Sequence, residues 1–406
     1  MKSVILYVHV PFCSSKCHFC SWVSPIPTTQ LVKSRSHYKD YTGAVVREIE
    51  STGRSLSKSN LQAKLVYFGG GTPSLLSANE LGQILDALFR AFPRNPEFQD
   101  VTIEVSPHTA TREQLEGLLR AGFTRISFGA QSFNKERVRM LGRAHSAQDT
   151  VNAFRLAREV GFTNLNIDLM VGLPEETQRE ADESVRQAIA LEPDHLSIYI
   201  YKKFPSTVLS RMIDDDKIEA VSTPTAVDRY ERATRMATEA GYTEYMFQLF
   251  HKNEKRCYCD DHYFHLNYDY LGFGQGAHAL AAGHCYGHTQ ALGEYLSNPR
   301  HTYFINAAAS ESVLETKFFE MMHTLEGFDE LNFFNRLRLT FADARARSPR
   351  LQAIFDSALE TDAIEPTTRG FRFSDRRKWL TWLALPSSWN MGARAAEKLQ
   401  LISITS

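Results

Sequence analysis

Three cysteines, Cys13, Cys17 and Cys20, crowd into the run CSSKCHFC. Thiolates are natural ligands of zinc and of iron–sulfur clusters. A structural zinc site needs a fourth Cys or His, and zinc motifs come as paired short spacings that this run lacks. His18 lies inside the run, but a bond from it would strain so short a loop. Three thiolates on a 4Fe–4S cube leave one iron open to a small molecule. The amino and carboxylate groups of S-adenosylmethionine (SAM) can chelate that iron, and reductive cleavage there gives a 5′-deoxyadenosyl radical. The triplet is therefore expected to carry a cluster and a radical source. Cys257, Cys259 and Cys285 lie far downstream, and a reducing compartment argues against disulfides among the six.

A second signal is Gly69-Gly70-Gly71-Thr72-Pro73, directly after an apolar stretch. Successive glycines let the backbone approach a ligand, and their amides can bind its amino and carboxylate groups. A tight turn would use the same residues, and no Gly-Lys-Ser/Thr follows to make a P-loop. Glu104, Gln131, Arg143 and Asp168 are polar residues in or beside apolar stretches. A carboxylate there is costly to bury unless it is paired or bound to a ligand. Glu104 and Asp168 suit ribose hydroxyls or an ammonium group; each taken singly suits a structural hydrogen bond as well.

These residues need elements that bring them together. Apolar β-type runs recur at residues 4–10, 65–68, 101–105, 124–128, 165–170 and 195–200. Amphipathic segments with three- and four-residue spacing separate them, at 38–51, 78–92, 112–121, 147–160 and 177–191. Strands alternating with helices indicate βαβ units and a parallel sheet. The expected fold is α/β, a partial (β/α)6 TIM-like barrel. Its loops after the strands gather the thiols, the glycines and the polar residues at one rim, where barrel sites form. Residues 1–300 are assigned to this barrel and its extension, and 301–406 to a smaller, mainly helical domain that covers the substrate.

The chain has 406 residues, a formal net charge of −1 and 23% charged residues. No basic face advertises nucleic acid. The apolar run at residues 4–10 is too short to span a bilayer and lacks a cleavage site, so no membrane and a cytoplasmic location are expected.

The motifs YVHVPFCSSKCHFC, YFGGGTPS, TIEVSP, SFGAQSF, LGRAH, NIDLMVGLP and DYLGFGQGAH together resemble the oxygen-independent coproporphyrinogen oxidase-like (HemN-like) branch of radical SAM proteins. The resemblance covers residues 4–280 and implies a partial radical SAM barrel, a 4Fe–4S cluster and two SAM molecules. It implies that Tyr7, Gly70 and Glu104 contact the cluster-bound SAM. It assigns Phe19, Gly71, Thr72, Gln131, Arg143 and Asp168 to the second SAM. Residues 201–204 depart from the usual sequence before the following proline, and nothing is carried over there.

The branch includes porphyrinogen decarboxylases, haem chaperones and class C radical methyltransferases or cyclopropane formers. Ser21-Trp22 stands where the oxidase carries a further Cys, and only twelve residues precede Cys13; both weigh against porphyrinogen oxidation. Residues 22–36 do not resemble the chaperones' segment after the cluster. The second SAM site is what methyl transfer needs. The expectation is an enzyme transferring a methyl or methylene group to an sp2 carbon of a natural-product or quinone-like small molecule. Flavodoxin or ferredoxin would donate electrons, and a partner methyltransferase could complete the product. The alternatives are oxidative decarboxylation of a porphyrinogen and haem carriage.

His251, Cys257, Cys259, His262, His265, His278, Cys285 and His288 crowd a late window. They could form a second metal or haem site; free thiols in a polar loop are the simpler reading. Tyr258, Cys259 and Tyr263 are candidate proton or hydrogen-atom donors. Asp260–Asp261 reads as a solvated turn. The late aromatics, Phe318, Phe319, Phe333, Phe334, Trp379, Trp382 and Trp389, read as core, with one or two available to cap a flat substrate.

Overall fold

The computed structural model describes residues 2–21, 36–205, 207–281, 283–300 and 302–384. Trp22, residues 23–35 and Trp389 lie outside the described residues.

Six parallel strands follow one another in sheet order: β1 (Lys2–Val10), β2 (Leu61–Gly70), β3 (Val101–Val105), β4 (Arg125–Gln131), β5 (Leu165–Val171) and β6 (His195–Ile200). They are buried almost throughout, as parallel strands with both faces covered must be, which is why each reads as a continuous apolar run. The connections carry α1 (Ser36–Ser55), α2 (Ala78–Ala91), α3 (Arg112–Ala121), α4 (Lys135–Met140), α5 (Ala147–Val160) and α6 (Gln178–Ala190). Local chemistry sets their ends. Capping boxes Ser77/Glu80, Ser146/Asp149 and Thr177/Glu180 start α2, α5 and α6. Gly122 and Gly161, both left-handed, stop α3 and α5.

Among the described residues the sheet has twelve strands and is open. β9 (Asp269–Phe273) lies parallel to β1 on its other side, followed outward by antiparallel β10 (His278–Ala281), β11 (His284–His288) and β12 (Thr302–Ala307). Past β6 come antiparallel β8 (Leu249–His251) and β7 (Thr243–Met246). The expected α/β partial barrel is therefore present, and antiparallel strands flank both ends. β12 lies beyond residue 300 yet pairs with β11. Between these strands lie α7 (Val208–Asp214), α8 (Thr223–Glu239), α9 (Tyr258–Phe264) and α10 (Leu292–Ser297).

After α11 (Glu311–Met321), three further helices flank a small sheet of order β13-β15-β14: Phe328–Asp329, Gly370–Phe373 and Ile364–Thr367. Its core is aromatic: Phe328 stacks on Phe371 at 4.8 Å and Phe318 on Phe341 at 5.5 Å. The last described helix, Arg376–Ala384, returns to α8 through Arg377–Asp228 at 2.7 Å. Trp379 of that helix packs on Phe247 at 5.1 Å. Phe318, Phe319, Phe333 and Trp379 are thus core, as packing predicts, whereas Phe334 is exposed. Among the described residues no helix is long and apolar enough to cross a membrane.

Candidate functional site

The loop after β1 carries the three thiols and is fixed by backbone hydrogen bonds. Gly71 N–H donates to the Val10 carbonyl (2.7 Å), Thr72 N–H to the Phe12 carbonyl (2.7 Å) and His18 N–H to the Leu141 carbonyl (2.9 Å). Cys20 N–H closes a turn on the Cys17 carbonyl at 3.2 Å. The glycines are needed for this approach. A Cβ on Gly71 would stand 2.5 Å from the Phe12 oxygen and 3.0 Å from Cys13 Sγ. Gly70 has φ +110°, and a Cβ there would meet the His9 ring at 2.7 Å. β2 accordingly runs to Gly70, beyond the expected end at 68, because the glycines pair with His9 and Val10 of β1.

Glu104, at the end of β3, accepts from Tyr67 Oη (2.9 Å) and from Gly70 N–H (3.2 Å). Burial and the negative charge of Asp168 push its carboxyl up to about 8, against the pull of those two hydrogen bonds. Asp168, on β5, accepts from Asn166 Nδ2 (2.7 Å) and Ser127 Oγ (3.1 Å); burial raises it too. Gln131 sits at φ 68°, after a bulge where β4 slips against β5, so the chain leaves the ladder at this rim. Arg143 donates to Cys17 Sγ (3.2 Å) and to the Gly129 carbonyl (2.6 Å), placing a guanidinium against the thiol loop.

Phe19, Gly70, Gly71, Thr72, Glu104, Gln131, Arg143 and Asp168 line one cavity of about 670 Å³, together with Cys17 and Cys20. Tyr7 is not among its lining residues. It stacks on Tyr67 and Tyr270 at 6.0 and 5.8 Å, and its hydroxyl meets His9 Nδ1 at 3.1 Å. Burial keeps His9 neutral by lowering it to about 4. Further wall residues went unread in the sequence: Met170, Tyr199, Lys202, Phe204 and Gln248. The departure at residues 201–204 was the one available signal for Lys202 and Phe204; nothing in the sequence marked Gln248.

The donor set fits an iron–sulfur cluster: three thiols on one short loop, none in a disulfide, with a cation beside Cys17 and a glycine cradle against Cys13. Cys13, Cys17 and Cys20 would hold a 4Fe–4S cluster there, which would supply single electrons for reductive SAM chemistry. The late cysteines and histidines do not gather. His288 meets Glu48 at 3.0 Å, His262 meets Gln99 at 2.9 Å, and His265 stands 3.3 Å from both Asp261 and Glu326. Among the described residues no three His, Cys, Asp or Glu side chains converge as a single-ion site would require.

Tyr258, Cys259 and Tyr263 lie on α9, which closes the opposite end of the barrel. There it packs on Ile5 and Leu65, near the strand starts, and reaches Gln99 just before β3. Cys257 and Cys259 are buried, and burial raises both thiols. Tyr263 Oη donates to Glu320 on α11 at 2.8 Å. Asp260–Asp261 is not a solvated turn. Burial raises Asp260, with Arg125 close enough to oppose the shift, and Asp261 pairs with His265.

The radical SAM superfamily profile matches residues 7–188. The heme chaperone HemW of Escherichia coli (strain K12) is 30% identical over 369 residues, covering 89% of this chain and 88% of that protein. The heme chaperone HemW of Haemophilus influenzae is 34% identical over 282 residues, 67% of this chain and 69% of that protein. Among solved structures, the E. coli coproporphyrinogen III oxidase HemN superposes with a TM-score of 0.75 at 21% identity, covering 99% of this chain and 90% of that one.

These relatives correct the expected activity. Methyl or methylene transfer to a natural-product or quinone-like acceptor finds no support among them, and the partner methyltransferase falls with it. A second SAM site on Gln131, Arg143 and Asp168 suits methyl transfer, but a polar rim of this kind does not separate activities within one branch. The chain belongs to the radical SAM superfamily, in the branch that holds HemW and the HemN-like oxidases.

Proposed function

We propose that this protein binds haem and passes it on, as the name of its chaperone relatives describes, and that it does so with a 4Fe–4S cluster on Cys13, Cys17 and Cys20. The observation that carries this reading is the extent of the likeness to HemW, which reaches past the barrel through 89% of the chain. The cavity supports it. Phe19, Met170, Tyr199 and Phe204 give it apolar walls beside the thiol loop, as a flat macrocycle requires. Within it we assign Gly70 and Glu104, with Tyr7 behind them, to the cluster-bound SAM. Phe19, Gly71, Thr72, Gln131, Arg143 and Asp168 are assigned to a second SAM. The described residues that line the cavity all precede 291, and Glu320 of α11 meets α9 at the other end of the barrel, so we read residues 302–384 as bracing that end; a cluster held by thiolates favours a reducing, cytoplasmic setting.

The test is an anaerobic titration of the reconstituted chain with haem, followed in the Soret region. Saturable one-to-one binding is expected, without carbon dioxide from coproporphyrinogen III when SAM and dithionite are present. Carbon dioxide release at a catalytic rate would overturn the carrier reading in favour of an oxidase.

A further inference from the structure

Branched aliphatic side chains are the common filling of a barrel interior. Between the cavity and α9 this barrel is filled largely by tyrosines, packed about Ile5 and Leu65. Four of them form a continuous line of ring contacts. Tyr67 stacks on Tyr7 with ring centroids 6.0 Å apart, Tyr7 on Tyr270 at 5.8 Å, and Tyr270 meets Tyr263 edge-on at 5.2 Å. The line begins beside the cavity, because Tyr67 Oη donates to the cavity-lining Glu104. It ends on α9 at Tyr263, which is only half-buried.

Packing needs the rings but not the hydroxyls, each of which must find a partner when buried. In this line the partners are groups that exchange protons. Tyr67 has the Glu104 carboxyl at 2.9 Å, Tyr7 has Nδ1 of the neutral His9 ring at 3.1 Å, and Tyr263 has the Glu320 carboxylate at 2.8 Å. Lys317 Nζ stands 3.2 Å from Tyr263 Oη and pairs with Glu320, holding the two together. Tyr270 bridges Tyr7 and Tyr263 by ring contact. A phenol loses an electron most readily when its proton can pass to a group already within hydrogen-bond reach, because no charged radical is then left in the core.

We propose that Tyr67, Tyr7, Tyr270 and Tyr263 form a path that carries an oxidising hole from the cavity to the far end of the barrel. The oxidant is a hydroxyl radical, which peroxide gives with ferrous iron of a cluster on the thiol loop. Tyr67 passes its electron to that radical and its proton to Glu104, whose own proton converts the resulting hydroxide to water. Electrons then move up the line from Tyr7 and from Tyr263, and each inner phenol recovers its proton as it is reduced. Net, one electron leaves Tyr263, its proton rests on Glu320, and Glu104 regains a proton from cavity water. A soluble reductant returns the electron to Tyr263 and Glu320 returns the proton. The path depends on a cluster at Cys13, Cys17 and Cys20 and is independent of haem carriage.

The reconstituted full chain, carrying ordinary or ring-deuterated tyrosine, is mixed anaerobically with peroxide, freeze-quenched and read by EPR. A nitrone spin trap with peptide mass spectrometry locates the radical. Wild type should give a signal narrowed by the deuterated tyrosine, with the adduct on Tyr263, and Tyr263→Phe should lose it. Tyr270→Phe keeps the ring and the exposure of Tyr263 but is far harder to oxidise. It should lose most of the Tyr263 adduct and gain sulfoxide at Met170 on the cavity wall. Tyr7→Phe breaks the neighbouring link, should behave alike, and gives the reading where Tyr270→Phe folds poorly. An adduct that survives equally in both variants reports direct attack from solvent and overturns the path. So does an equal adduct in the cluster-free chain, or a wild type without a tyrosyl signal.

Discussion

Replacing Glu104 with Gln should change the sign of its effect on stability between acid and alkaline pH. The folded protein holds this carboxyl's pKa up to about 8, against an ordinary value of 4.5, because burial and Asp168 disfavour the charge. Between those values the unfolded chain has released the proton and the folded chain keeps it. Stability contributed by this group is therefore full below pH 4.5 and is lost as pH rises through 8. At 1.36 kcal/mol per unit the whole shift is worth about 5 kcal/mol. That is a ceiling, because the carboxyl lines a cavity that water can enter. Gln cannot ionise, so it escapes this loss. It gives up one of the two acceptors used by Tyr67 and Gly70, at about 1 kcal/mol. The variant should be slightly less stable than wild type at pH 5 and more stable at pH 9. The assay is urea unfolding of the anaerobic apoprotein at several pH values, comparing midpoints at constant m so that other titrating groups cancel. Parallel pH profiles for the two proteins would refute the placement of a strained, protonated Glu104.

Gly71→Ala should cost roughly 1–3 kcal/mol and lower the iron content per chain, since its Cβ would meet the Phe12 carbonyl at 2.5 Å; iron analysis after reconstitution checks this. Arg143→Met removes the cation 3.2 Å from Cys17 Sγ, so the cluster's potential should fall by on the order of tens of millivolts in a redox titration followed by EPR. Burial alone would lower His265, but Asp261 and Glu326 hold it up at about 10. Its contribution is full below pH 6.5 and lost as pH rises through 10. Relative to His265→Gln, wild type should thus lose roughly 2 kcal/mol over that window, after discounting the exposed Glu326; chemical unfolding reads it.

The barrel was legible because parallel strands with both faces covered leave unbroken apolar runs, and because caps such as Ser146/Asp149 and stops such as Gly161 mark helix ends locally. The thiol loop and the glycine run were legible because their chemistry is carried by residue type and spacing. Other features depend on partners far along the chain. Gly69 and Gly70 lie beyond the expected strand end at 68, yet they continue β2, where a Cβ on Gly69 would meet Glu104 and Tyr67 at 2.9 Å and one on Gly70 the His9 ring at 2.7 Å. Asp260–Asp261 reads as a solvated turn, and only the fold places α9 in the barrel end, with Asp260 near Arg125. Lys202 and Gln248 reach one wall through the pairing of β6 with β8. The choice of methyl transfer failed for a related reason. It rests on rim residues expected to handle SAM, and such residues would identify the shared chemistry rather than the cargo.

The central claim is haem carriage by a chain that holds a cluster. Its most direct test loads the anaerobically reconstituted chain with haem, removes free haem, and mixes it with an apo-haem acceptor protein at equal concentration. The account predicts that haem moves to the acceptor faster from this chain than from a serum-albumin control. Wild type that binds no haem, or that releases it only at the control rate, would contradict the account.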